Sequence, residues 1–206
     1  PGSERGVDVL VNDLDEIFVL TQASNGEIGG YDALLAKYQL VDGVLEQEWR
    51  NYIGSEAWDI AKSLFLFQDE LYFAVTTYRE GHENGNLWVC KLNDDGSLAE
   101  EWTFESEERN VLSDAYAFDD QVYLAFDRGP LGGADIGIRA FDINWNPLWN
   151  WEQEAEDPIH YEAKNLDFDE INQLGLAYTR FIDPDFSNDN VLLRLDANGM
   201  ELGRFQ

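Results

Sequence analysis

Cysteine is almost missing from this sequence: Cys90 stands alone among 206 residues, which excludes any disulfide within the chain. Its setting, Leu87-Trp88-Val89-Cys90-Lys91, reads as a strand in which a thiol is apolar filler. Long apolar runs are missing too, and none approaches the roughly 18 residues of a membrane-spanning helix, so membrane insertion is not expected. Histidine is limited to His82 and His160, in unrelated segments. Positive charge is scarce, with 13 basic residues against 42 acidic ones and a formal charge of -29. Such a field repels phosphate backbones and anionic lipid, which removes nucleic acid from the expected partners. No stretch carries a sustained helical period of apolar residues, and this excludes an α-helical core. The start, Pro1-Gly2-Ser3-Glu4-Arg5-Gly6, lacks the plan of a signal peptide. Residues 1–6 read as a cloning scar with a disordered start, on a piece of a longer protein.

What the chain does have is core material. Apolar residues make up 44% and aromatics 14%, enough to fold despite the charge. All-β domains often reach this size as one unit, so residues 7–206 are expected to form a single domain. The acids are spread along the chain, as in Asp94-Asp95, Glu105-Ser106-Glu107-Glu108 and Asp183-Pro184-Asp185. They read as a solvated surface, and with only four lysines an adaptation to high salt is the sharper alternative.

Four apolar segments align as one repeat: Glu16–Thr21, Glu70–Thr76, Gln121–Phe126 and Gln173–Thr179. Their first residues, 16, 70, 121 and 173, lie 54, 51 and 52 apart. That spacing is close to the blade period of β-propellers, roughly 40 to 50 residues with four strands each. After each comes a third strand, Leu34–Leu40, Leu87–Leu92, Ile136–Phe141 and Val191–Leu195. Tight turns then follow, at Val41-Asp42-Gly43, Asn93-Asp94-Asp95-Gly96, Asn144-Trp145-Asn146-Pro147 and Ala197-Asn198-Gly199; most carry Gly or Asn where a hairpin needs positive φ. Each fourth strand ends on an aromatic, at Trp49, Trp102, Trp149 with Trp151, and Phe205, and these are expected to pack between blades. First strands are the faintest, at Val7–Val11, Trp58–Phe65 and Asp114–Phe118. The fold class predicted is all-β, a β-propeller of four blades of four antiparallel strands, with repeats at about 7–54, 55–106, 107–156 and 157–206. Four blades are few for a ring, so an extra blade, a ring closed by a dimer partner and a β-sandwich stay open as alternatives.

The segment Gly85-Asn86-Leu87-Trp88-Val89-Cys90-Lys91-Leu92-Asn93-Asp94-Asp95-Gly96-Ser97-Leu98 resembles the bacterial propeller repeats known as SBBP and delta-60 repeats, as does Leu193-Arg194-Leu195-Asp196-Ala197-Asn198-Gly199. The likeness covers about half of each repeat and is weakest in the third, where Asn144-Trp145-Asn146-Pro147 replaces the glycine turn. It implies a propeller, often on secreted or surface proteins, and it brings no catalytic residues. An extracellular or cell-surface location is the matching expectation.

Candidate chemistry is thin. No nucleophile motif, zinc spacing or phosphate loop is present. The loop Asp183-Pro184-Asp185-Phe186-Ser187-Asn188-Asp189-Asn190 offers oxygen ligands, so Asp183, Asp185 and Asp189 are the candidate Ca²⁺ ligands, although the twelve-residue EF-hand pattern is absent. An acidic ring from Asp8, Asp59, Asp114 and Glu162 is a second arrangement, set against uneven intervals of 8, 11, 7 and 11 residues to the next strands. Aromatics that break the repeat, Trp58, Tyr78, Trp145 and Tyr161, sit near turns where exposed rings can stack on sugars or grip a peptide. The expected ligand-binding set is therefore Trp58, Tyr78, His82 and Tyr161. The function read from the sequence is non-catalytic binding or scaffolding, with a protein or carbohydrate ligand, in a monomer or a dimer-closed ring. A carboxylate-based hydrolase or lyase and a purely structural spacer are the competing readings.

Overall fold

The computed structural model describes residues 2–24, 30–79, 84–129, 135–156, 159–169, 173–182 and 187–206. Among these residues every regular element is a strand, sixteen in all, and no helix is long and apolar enough to cross a membrane. They form four antiparallel meanders, each in sequential order. The first sheet is β1 (Ser3–Val11), β2 (Glu16–Ser24), β3 (Asp32–Val41) and β4 (Val44–Ile53). The second is β5 (Asp59–Phe67), β6 (Glu70–Thr77), β7 (Asn86–Leu92) and β8 (Leu98–Phe104). The third is β9 (Asn110–Phe118), β10 (Gln121–Arg128), β11 (Asp135–Phe141) and β12 (Pro147–Gln153), and the fourth is β13 (Ile159–Phe168), β14 (Leu174–Ile182), β15 (Ser187–Leu195) and β16 (Glu201–Phe205). Four four-stranded blades of the propeller type are thus present, as the repeat predicts. They group into two compact units, Pro1–Ser106 and Glu107–Gln206, of two blades each.

Ser3–Gly6, expected to lie outside the fold, are the first residues of β1 and pair with Ser24–Thr21 of β2. The reason is geometric: β2 runs on to Ser24, and its backbone groups take a partner as far as they extend.

In the first unit the core is formed where the two sheets face each other. Phe18, Leu20, Ala33 and Leu35 from the first sheet meet Leu64, Phe73, Val75, Trp88 and Cys90 from the second. The alternation along β2 and β6 puts these side chains on one face. The second unit repeats the arrangement with Tyr123, Ile136, Ile138, Leu176, Tyr178 and Leu193.

Each first strand carries one bulged residue that the register with the second strand skips: Val7, Lys62, Ser113 and Lys164. A bulge frees backbone N–H groups from the ladder, and buried ones need an acceptor. The preceding blade supplies it. The amides of Ala61 and Leu64, which flank Lys62, donate to Gln22 Oε1 and Asp8 Oδ2, both at 2.7 Å. In the second unit Ala163 and Leu166 donate to Asp127 Oδ1 at 2.7 Å and Asp114 Oδ2 at 2.8 Å. Asp8 and Asp114 each follow directly on their own bulge, so they hold the same place in the repeat. Asp59 precedes its bulge by three residues and Glu162 by two, so these four acids do not share one position, and two of them serve as blade-to-blade latches.

The fourth-strand aromatics also divide into two positions. Trp49 pairs with Lys37 and Trp149 with Ala140, the same register point, where the other two blades have Glu100 and Gly203. Trp102, Trp151 and Phe205 stand two residues further on. A Trp at the earlier position reaches the third-to-fourth-strand turn of the next blade in its unit. Trp49 Nε1 donates to Asp94 O at 2.9 Å and Trp149 Nε1 to Ala197 O at 3.0 Å. Both rings lie on a glycine, Gly96 and Gly199, with φ of +76° and +79°. The matching residue of the third blade is Trp145, with φ of 62°, and it is buried against Phe141 rather than presented at the turn.

Candidate functional site

The first unit carries a row of aromatics at the end of its strands. Gly54 and the segment 55–58 lead from β4 into β5, and this link is fixed by its own hydrogen bonds. Ser55 N donates to Asp59 Oδ2 at 2.5 Å, and Ala57 N to Ser55 Oγ at 3.3 Å. Main-chain bonds then tie the link to both neighbours. Gly30 N donates to Ala57 O at 3.1 Å, Asp59 N to Tyr31 O at 2.8 Å, and Tyr78 N to Trp58 O at 2.9 Å. Tyr31, Trp58 and Tyr78 therefore lie side by side, on three adjacent backbones.

The side chains follow from that backbone. Trp58 is 55% exposed and Tyr31 38%, and their rings meet edge to face, with centroids 5.4 Å apart at 89°. Gly30 lies under the indole, where any Cβ would collide with Trp58 Cδ1 and Nε1. Large aromatics left this open in a folded domain are poised for contact, since burial would otherwise gain the free energy of their area. Tyr78 is half-buried beside them.

Beneath the row the chain turns polar and closed. Asp32 and Asp59, the residues next after Tyr31 and Trp58, are both fully buried. Gln22 Nε2 donates to their backbone carbonyls, at 3.1 Å to Asp32 and 3.0 Å to Asp59. Asp59 uses Oδ2 to cap the Ser55 amide. Neither carboxylate has surface on which a ligand could rest.

The expected residues fall in different places. Trp58 and Tyr78 come together with Tyr31, which the sequence reading did not single out. The signal available for Tyr31 was its position after Gly29-Gly30, just ahead of the apolar start of β3. Tyr161 belongs to the second unit, is almost fully buried, and packs edge to face on Tyr178 at 5.7 Å. His82 lies outside the described residues. So do Asp183 and Asp185 of the calcium set; Asp189 is described, on β15 opposite Arg180. Among the described residues no three His, Cys, Asp or Glu side chains are grouped to hold a metal ion.

No family model matches the sequence, and no curated protein matches it either. Solved structures do. The chain is similar to a novel alpha-L-arabinofuranosidase (CtGH43) from Clostridium thermocellum, with a TM-score of 0.49 and 11% identity, covering 96% of this chain and 70% of that one. A likeness of that extent assigns neither an activity nor a single functional residue to the present chain.

Proposed function

We propose that this chain is a non-catalytic binding module that takes a neutral carbohydrate on the Tyr31–Trp58–Tyr78 row. The observation that carries the reading is the open Trp58 indole, braced on Gly30 and set edge to face with Tyr31. An aromatic face is a platform for the C–H side of a sugar ring, and its rigidity lowers the entropy lost on binding.

Binding is favoured over hydrolysis by the state of the two acids directly beneath the row. Glycoside hydrolysis needs two carboxyl groups that flank the scissile bond. Asp32 and Asp59 are sealed under the row, and Asp59 is occupied by the Ser55 amide.

Isothermal calorimetry against a panel of neutral oligosaccharides tests the reading. A member of the panel is expected to bind, and Trp58→Ala to weaken it about tenfold or more, the usual cost of losing a central aromatic anchor. Unchanged affinity in Trp58→Ala, or no binding across the panel, contradicts it.

A further inference from the structure

Beyond that reading, the second unit holds a small concave site of opposite character. On the fourth sheet lies a cavity of about 310 Å³, lined by Tyr161 of β13, Tyr178 and Arg180 of β14, Val191 of β15, Arg204 of β16 and the terminal Gln206. Two arginines in one cavity stand out in a chain with 42 acidic residues.

The two differ in what they are free to do. Arg204 is committed: Nε and Nη2 hold Glu201 at 2.8 and 2.7 Å, and Nη1 reaches Gln153 Oε1 at 2.8 Å. Its guanidinium also lies over the Trp151 ring, 5.8 Å from the centroid. Arg180 has none of this. Its Nε is buried without an acceptor, and no ion pair or side-chain hydrogen bond engages its guanidinium among the described residues. Asp189 faces it across β14 and β15 yet forms no ion pair with it. By contrast Lys37, Arg50, Lys91, Arg128 and Arg194 each rest on a carboxylate.

A guanidinium that lines a cavity without a carboxylate partner is most readily satisfied by a planar carboxylate that takes two parallel bonds. The remaining walls, Tyr161, Tyr178 and Val191, are nearly buried, so the open surface of the cavity is more polar than apolar and suits a small polar ligand. The volume is at the low end for small-molecule sites. We infer that this cavity binds a small organic carboxylate of about monosaccharide size, with Arg180 as the residue that recognises the charge.

The test uses D-glucuronate as the probe and D-glucose as its uncharged counterpart, by calorimetry on the full chain carrying Trp58→Ala, which removes binding at the aromatic row from the readout. Glucuronate is expected to bind and glucose to fail. Arg180→Gln should weaken glucuronate about tenfold or more, and Arg180→Lys, which keeps the charge and loses the planar fork, should recover only part of that. Equal binding of glucose, no binding of glucuronate, or unchanged affinity in Arg180→Gln overturns the inference. Should Arg180→Gln not fold, amide and side-chain NMR shifts of the unaltered protein take its place. Glucuronate must then move Tyr161, Tyr178 and Arg180, and shifts confined to other residues count against the site.

Discussion

Trp49 donates its indole N–H to the backbone carbonyl of Asp94, 2.9 Å away, with its ring laid on Gly96. Trp149 does the same with Ala197 and Gly199. One device is used in both units to join a fourth strand to the next blade's turn. It requires the glycine twice over, for a φ of +76° and for the space the ring occupies. A Cβ at Gly96 would stand 2.5 Å from Trp49 Cε3. Gly96→Ala is therefore expected to destabilise the first unit by about 1–3 kcal/mol, from backbone strain and displacement of the indole. Trp49→Phe removes the donor and relieves the clash, so a double variant should lose less than the two single changes added together. Urea unfolding of the four proteins measures this, and strict additivity would mean that the two residues do not act on each other.

A second prediction concerns the bulges. Removing the Asp8 carboxylate leaves the Leu64 amide without its acceptor at a buried position, a loss of about 1–3 kcal/mol. Asp8→Ala should show that loss, while Asp8→Asn retains an acceptor oxygen and should recover part of it. Asp114→Ala is the matching change for Leu166 in the second unit. Hydrogen exchange gives the local readout: the amide of Leu64 should lose protection in the first case and that of Leu166 in the second.

Titration gives a third. The Lys37 ammonium on Glu16, 2.6 Å away, and the Asn12 amide at 2.7 Å hold the Glu16 carboxyl below its usual range, against a smaller opposing effect of burial. A carboxyl depressed in the folded state contributes stability above its unfolded value near 4.5, and that contribution is lost as pH falls through the folded value. Glu16→Gln should therefore be less stable than the unaltered protein at pH 7, with the gap closing below about pH 4.5. At the alkaline end burial pushes the Tyr123 phenol up to about 12, with Asp119 adding to it. A raised group contributes stability that is present below its unfolded value near 10 and lost as pH rises through about 12. Tyr123→Phe should remove part of the loss over that window, read from denaturation midpoints at pH 9 to 12. The same burial keeps the Cys90 thiol well above its ordinary value, so it should resist thiol reagents until the protein unfolds.

The strands were legible because two signals coincide in each: a short, nearly continuous apolar run, as along Glu70–Thr77 or Gln121–Arg128, and turn residues at its ends. The bulges were not. Val7, Lys62, Ser113 and Lys164 share no chemistry, and the slip exists only in the pairing with the second strand. Without it the roles of Asp8 and Asp114 could not be told from those of Asp59 and Glu162. Among the site residues, Trp58 and Tyr78 stood out as aromatics that break the repeat. Tyr31 did not, because it lies ahead of the expected third strand Leu34–Leu40, and its place beside Trp58 comes from a bridge between segments 27 residues apart in sequence. Trp145 and Tyr161 looked like exposed turn aromatics by the same criterion, yet each has an aromatic partner that buries it, Phe141 and Tyr178.

The most direct measurement on the binding account is a heteronuclear NMR titration with whichever neutral oligosaccharide binds most tightly. The account predicts that the Trp58 indole N–H and the amides of Tyr31, Trp58 and Tyr78 shift together along one binding curve. Shifts that leave these residues unmoved and gather elsewhere in the chain would contradict it.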